Sequence, residues 1–226
     1  MTLLACQTWQ ETGAWTGSAT LVPLGSLEQH GPHLPLDTDT RIAEAVALRY
    51  AARRPGLLVA PAMAYGASGE HEAFPGTVSL GTAATTHALV ELVRSLSRWC
   101  PRVVFVIGHG GNADAVRTAV ATLGPEGRPV LPWYASVPGG DAHAGRTETS
   151  LMLAIAPDQV RPGPWPAGQT APIGTLWDTL RAGSVRAVSP GGVLGDPAGA
   201  TAEEGERLLG SLVRRLDAAV RRWASG

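Results

Sequence analysis

The sequence predicts an α/β layered fold with a mostly parallel central sheet, and three observations carry that prediction. Apolar runs of strand length alternate along the chain with stretches of helical spacing. The clearest run, Arg102 to Ile107 (RVVFVI), is apolar at nearly every position, the pattern of a strand covered on both faces. Glycine-rich turns crowded with His, Asp and Glu follow the strands at their carboxyl ends, where a parallel sheet presents its active site.

The 226 residues suit one domain over 1–226, long enough to bury a full core, and a hydrophobic content of 44% is that of an ordinary globular chain. A formal net charge of -1 provides no long-range attraction for nucleic acid or for an anionic membrane. No lysine occurs, which excludes Schiff-base and lysine-nucleophile mechanisms. Cys6 and Cys100 lie far apart, outside any ligand spacing, and are expected to be unpaired thiols in a reducing cytoplasm. There is no basic-then-apolar leader and no run of membrane-span length, so a cytoplasmic protein is expected.

Residues 1–19 lack periodicity, with Trp9 and Trp15 as candidate packing anchors. Thr20 to Leu24 reads as a buried strand, and Thr40 to Arg54 as a helix with Ile42, Val46 and Tyr50 on one face, stopped by Pro55-Gly56. Leu57 to Ala64 is a second strand and Thr86 to Cys100 a second amphipathic helix. Arg102 to Ile107 then runs through a glycine turn into a helix over Ala113 to Leu123, with Asn112 either capping that helix or touching a ligand. Val130 to Ala135 is the next strand, and Glu148 opens a helix ended by Pro157. Residues 157–200, rich in proline and glycine, are expected to form a flap or an oligomer contact. Thr201 and Glu204 form a capping box for a closing helix that reaches Trp223.

The chemistry concentrates in Val22 to Asp39, VPLGSLEQHGPHLPLDTD, which releases Glu28, His30, His33, Asp37 and Asp39 within a dozen residues. Divalent transition metals take carboxylate and imidazole ligands converging on a small space. Glu28 and His30 are two apart, so in an extended backbone both leave on the same face. His109 after the third main strand, and His143 with Glu148 after the fourth, extend the inventory to Glu28, His30, Asp39, His109, His143 and Glu148. Six such groups exceed one closed structural zinc and suit two metals sharing a carboxylate, about 3.5–4 Å apart, a centre whose chemistry is amide hydrolysis. The loop Tyr65 to Thr77, YGASGEHEAFPGT, is expected to contact substrate through His71, Phe74, Gly76 and Thr77, with Gly110 and Asp141 beside it. No GxSxG elbow, P-loop or GxGxxG is present, so acyl-serine hydrolysis, phosphoryl transfer and dinucleotide binding lack their usual loops.

Four motifs, SLEQHGPHLPLDTD, GEHEAFPGT, GHGGN and HAGRTETS, together resemble the creatininase family of metal-dependent amidohydrolases. The resemblance implies a three-layer α/β/α sandwich, a binuclear metal site and a closed homo-oligomer, a hexamer or octamer. It implies that Glu28, Asp39 and His109 hold one metal and that His30, Asp39 and a further carboxylate hold the second, with Asp39 bridging. Creatininase has a glutamate where this chain has Gly111, and Glu148 is the nearest substitute. His143 is similar to the family's proton shuttle, while His33 and Asp37 fall to supporting or structural roles. Within the family the ASGEH, GGDAHAG and SPGGVLGDP stretches look most like the mycofactocin-system branch. That implies a modified precursor peptide as substrate, cleaved to release a crosslinked valine-tyramine unit, with Fe(II) and Zn(II) as metals. The ligand types equally accept Mn(II). The alternatives are a creatininase or other small-molecule amide or formamide hydrolase, and a metal-holding oligomeric scaffold without turnover.

Overall fold

The computed structural model describes residues 2–182 and 184–225. Five strands, β1 (Thr2–Leu3), β2 (Ala19–Leu24), β3 (Leu57–Val59), β4 (Val103–Ile107) and β5 (Val130–Tyr134), make one sheet in the order β1-β3-β2-β4-β5. Every pairing is parallel, so the sheet goes beyond the mostly parallel arrangement that alternation predicts. The helices are α1 (Trp9–Gly13), α2 (Thr38–Ala51), α3 (Gly81–Leu96), α4 (Ala113–Leu123), α5 (Arg146–Ile155), α6 (Ile173–Ala182), α7 (Val185–Val188) and α8 (Ala202–Ser225). One core packs α2, α5 and α8 against one face of the sheet through Ile42, Val46, Leu151, Met152, Leu209 and Leu216. A second core packs α3 and α4 on the other face through Leu89, Val93, Val116 and Leu123. That is a three-layer α/β/α sandwich, and it explains why β2 and β4 are buried along their whole length.

The centre of the sheet decides where the ligand-rich loops emerge. β2 and β4 run in register from Thr20 beside Val103 to Leu24 beside Ile107, so both end at the same level. The Gly108 N–H donates to the Leu24 carbonyl at 2.8 Å, which holds the two exit loops side by side. The segment 25–39 and the His109 turn therefore open into one space.

Several boundaries differ from the sequence reading for physical reasons. Thr8 and Glu11 form a capping box that starts α1 where no periodicity announces a helix, and Thr2–Leu3 adds a short edge strand. The expected strand from Leu57 stops at Val59, since Pro61 has no N–H for the ladder, although Met63 still bridges to Leu24. Helix α3 starts at Gly81, five residues early, and ends at Leu96, leaving Trp99 outside it and 39% exposed. Trp15 packs edge-on against Trp99 with ring centroids 6.2 Å apart, but Trp9 is 80% exposed and anchors nothing in this chain. Among the described residues no helix is long and apolar enough to cross a membrane.

Helices α5 and α8 cross where Gly205 faces the Ser150 carbonyl, and a Cβ at 205 would lie 1.9 Å from that oxygen. Backbone atoms cannot rotate away, so Gly205→Ala must push the helices apart. The expected cost is about 1–3 kcal/mol of overpacking strain, read as a lowered Tm in thermal denaturation; an unchanged Tm would show that the crossing is not tightly packed.

Candidate metal centre

The turn after β2 is shaped by its backbone before any metal is considered. Glu28 N–H donates to the Leu36 carbonyl at 3.0 Å, closing the loop so that Asp39 returns in the first turn of α2. Ser26 Oγ donates to Asp39 Oδ2 at 2.5 Å, and Thr40 Oγ1 donates to the Ser26 carbonyl at 3.1 Å. The His30 Nδ1–H donates to the Glu28 carbonyl at 3.1 Å, which turns Nε2 toward Asp39 Oδ1 at 3.3 Å and Glu148 Oε2 at 3.8 Å. His109 reaches the other side: its Nδ1 lies 3.4 Å from Asp39 Oδ2 and its Nε2 3.1 Å from Glu28 Oε2. Asp39 thus divides its two oxygens between His30 and His109.

His143 enters from the loop before α5. Its backbone pairs with Leu194, donating at 3.2 Å and accepting at 2.8 Å, in one antiparallel bridge to the strap 189–195. Its Nδ1 lies 3.8 Å from Glu28 Oε1. Glu148, in the first turn of α5, accepts from the Ala144 N–H at 2.6 Å, so its place near the helix dipole and its approach to His30 coexist. Ligand-capable atoms of Glu28, Asp39 and His109 lie within 4.8 Å of one another, as do those of His30, His143 and Glu148, and of Glu28, His71 and His143.

A test of whether metals fit comes from Glu28. It is fully buried, and neither carboxylate oxygen has a hydrogen-bond partner. A buried carboxylate without hydrogen bonds carries a desolvation cost that a divalent cation removes. With imidazoles and carboxylates on all sides, the donor set fits two divalent ions.

The electrostatics point the same way. Burial opposes charge on His30, yet the carboxylates of Asp39, Glu148 and Glu28 outweigh it and lift the imidazole to about 10. His109 is raised in the same manner by Glu28 and Asp39. For Asp39, burial is overcome by His30 and His109, which hold it well below the usual range. Burial and the Asp39 charge lift Glu148 to about 7, against the pull of His30. Burial, with His30 and His71 nearby, depresses His143 well below an ordinary histidine, so it is neutral.

A cavity of about 570 Å³ opens onto this cluster, with Glu70, His71, His109 and His143 on one wall. An apolar part of its lining, a second wall, is made by Ile173 and Leu180 of α6, Val185 of α7 and Leu194, which is bridged to His143. Of the residues expected to contact substrate, His71 and Gly110 line the cavity. Phe74, Gly76, Thr77 and Asp141 are used by the fold: Phe74 packs behind the apolar wall and Gly76 faces Leu36. Thr77 Oγ1 accepts from Gln29 N–H at 3.1 Å, and Asp141 accepts from Arg146 and Thr147 N–H at the start of α5. Asn112 neither caps α4 nor faces the cavity; its amide accepts from Ala67 N–H at 2.8 Å and donates to the Gly25 carbonyl at 2.9 Å, joining three loops. His33 stacks on Trp165 and bonds Thr149, and Asp37 pairs with Arg41, so both stand outside the clusters.

Two residues escaped the sequence reading, Gln29 and Glu70. Glu70 Oε1 comes within 3.4 Å of His109 Nε2, and a Cβ on residue 111 would sit 2.3 Å from the same oxygen. The signal was the double glycine of GHGG, which leaves room for a side chain from another loop.

Because His30 stands near 10, it is an imidazolium at neutral pH in metal-free protein, and a metal can bind it only after displacing that proton. Zinc titrated into the metal-free protein at neutral pH is therefore expected to release protons, and its apparent affinity to rise with pH toward that value. Calorimetry in buffers of different ionisation enthalpy measures the release; binding with no proton released contradicts it.

The model of the creatininase (creatinine amidohydrolase) family matches residues 5–220. The chain is 55% identical over 208 residues to the mycofactocin precursor peptide peptidase of Mycolicibacterium smegmatis, covering 90% of this chain and 84% of that one. It is 51% identical over 217 residues to the peptidase of that name from Mycobacterium tuberculosis, with 92% and 86% covered. The creatinine amidohydrolase of Pseudomonas putida is 32% identical over 258 residues, with 95% and 94% covered. Among solved structures, the manganese form of creatininase superposes with a TM-score of 0.77 at 27% identity, covering 98% of both chains. With these matches over nearly its whole length, the chain belongs to the creatininase family of metal-dependent amidohydrolases.

Proposed function

We propose that this chain is the peptidase that hydrolyses the modified mycofactocin precursor peptide and releases its C-terminal crosslinked valine-tyramine unit. The observation that carries the reading is 51–55% identity over about 90% of the chain to peptidases of that name. It works as a cytoplasmic homo-oligomer and takes two divalent ions per subunit, Fe(II) and Zn(II), with Mn(II) acceptable to the same ligands. Glu28, Asp39 and His109 would hold one ion, and His30, Asp39 and Glu148 the other, with Asp39 common to both sets. The division of the Asp39 oxygens between His30 and His109 supports that sharing. Residues 1–226 act as one domain, with α6 and α7 of the 157–200 segment as its substrate wall.

The ions, when bound, supply Lewis-acid polarisation of the amide carbonyl and a water activated at neutral pH. The chain supplies the rest. His143 has its Nε2–H 2.8 Å from the Gln29 carbonyl, which leaves the Nδ1 lone pair facing the clusters. Neutral at Nδ1, it takes a proton from the attacking side and returns it to the amine leaving group. The apolar wall holds the substrate's hydrocarbon against the polar wall and excludes water from the reacting bond.

Incubating the metal-loaded protein with the modified peptide and with creatinine tests the substrate; turnover of creatinine alone overturns the reading. His143→Ala is expected to lower kcat on the peptide by about a hundred- to ten-thousand-fold while metal content measured by plasma emission stays unchanged. Retained hydrolysis with both metals bound would remove His143 from the proton transfer.

A further inference from the structure

Gln29 stands between Glu28 and His30 and is itself buried. Its amide orientation follows from Oε1, which accepts from the Gly31 N–H at 2.9 Å. The nitrogen end has three neighbours: the Gly192 carbonyl at 3.0 Å, His71 Nδ1 at 2.9 Å and His143 Nε2 at 3.0 Å. An amide has only two hydrogens for them. His143 Nε2 lies 2.8 Å from the Gln29 carbonyl, which can only accept, so that nitrogen carries its own hydrogen and offers no lone pair to the amide. The two amide hydrogens go to Gly192 and to His71 Nδ1. His71 then carries its hydrogen on Nε2, which faces Glu28 Oε1 at 3.3 Å.

This assignment bears on which residues bind metal. By distance alone Glu28, His71 and His143 form a third cluster of metal size. A nitrogen bearing hydrogen has no lone pair to give. We propose that Gln29 is a positioning residue that selects the ligand set. It holds His71 as the Nε2–H tautomer, withholding it from the metals, and its second hydrogen ties the 189–195 strap to the same amide. The proposal rests on the metal-centre reading above.

The test uses zinc-loaded protein labelled with 15N-histidine, above the ordinary imidazole titration range. The His71 signals are those lost in His71→Gln. The expected wild-type pattern is the Nε2–H tautomer. Gln29→Glu, whose carboxylate can only accept, should invert it to Nδ1–H, and Gln29→Leu should leave a mixture. Chelator competition should show zinc dissociation constants raised about 10–100-fold in both Gln29 variants. His71→Gln, which keeps an N–H donor near the Nε2 position, should retain both ions with smaller losses. An Nδ1–H tautomer in the wild type, a tautomer indifferent to both Gln29 substitutions, or loss of an ion in His71→Gln each overturns the proposal. If the wild type binds no zinc, the metal-centre reading fails separately, and the tautomer is still read in the same spectra.

Discussion

A carboxylate taken wholly out of water with neither oxygen hydrogen-bonded is the constraint on which this structure depends. Alone, a charged Glu28 in such a place would cost more than a single domain's net stability can spare. The fold answers by converging imidazoles from three other loops on it. His71 comes from the loop after β3, His109 from the end of β4 and His143 from the loop before α5, while His30 is held two residues away through the Glu28 carbonyl. Those loops can meet because β2 and β4 are adjacent, parallel and equal in reach. The sheet's register is in this sense part of the site's chemistry.

Much of this was legible in the residues. Continuous apolar runs gave away β2 and β4, since a strand covered on both faces has no alternation to preserve. The cluster Glu28, His30 and Asp39 was legible because carboxylate and imidazole with proline and glycine between them have few structural uses. The rest was hidden for identifiable reasons. Thr2–Leu3 and Trp9–Gly13 are too short to show a period. Helices α6 and α7 sit in a proline- and glycine-rich segment where composition argues against regular structure, and contact with Phe74 and Leu194 stabilises them. Asn112 reads as a cap because it precedes a helix, whereas its amide joins loops far away in sequence, which no local rule registers.

Gln29 shows a further limit of reading by residue type. Glutamine has no metal affinity to draw notice, and in a ligand-rich turn it passes for a spacer. Its importance lies in how two amide hydrogens are shared among neighbours that are distant in sequence, which no local pattern registers. Glu70 is similar: only the space over Gly111 shows that a carboxylate from another loop stands against His109.

The cavity has two walls of unlike origin. The polar wall combines His109, at the end of β4, with Glu70 and His71 from the loop after β3 and with His143, which is bridged to Leu194, while the apolar lining belongs to α6, α7 and the strap. In general, contacts that bind substrate and transition state alike set affinity, while those that grow as a bond breaks set rate. Such a division separates inheritance from adaptation. Helices α6 and α7 can be exchanged for others without altering the register that brings the ends of β2 and β4 together.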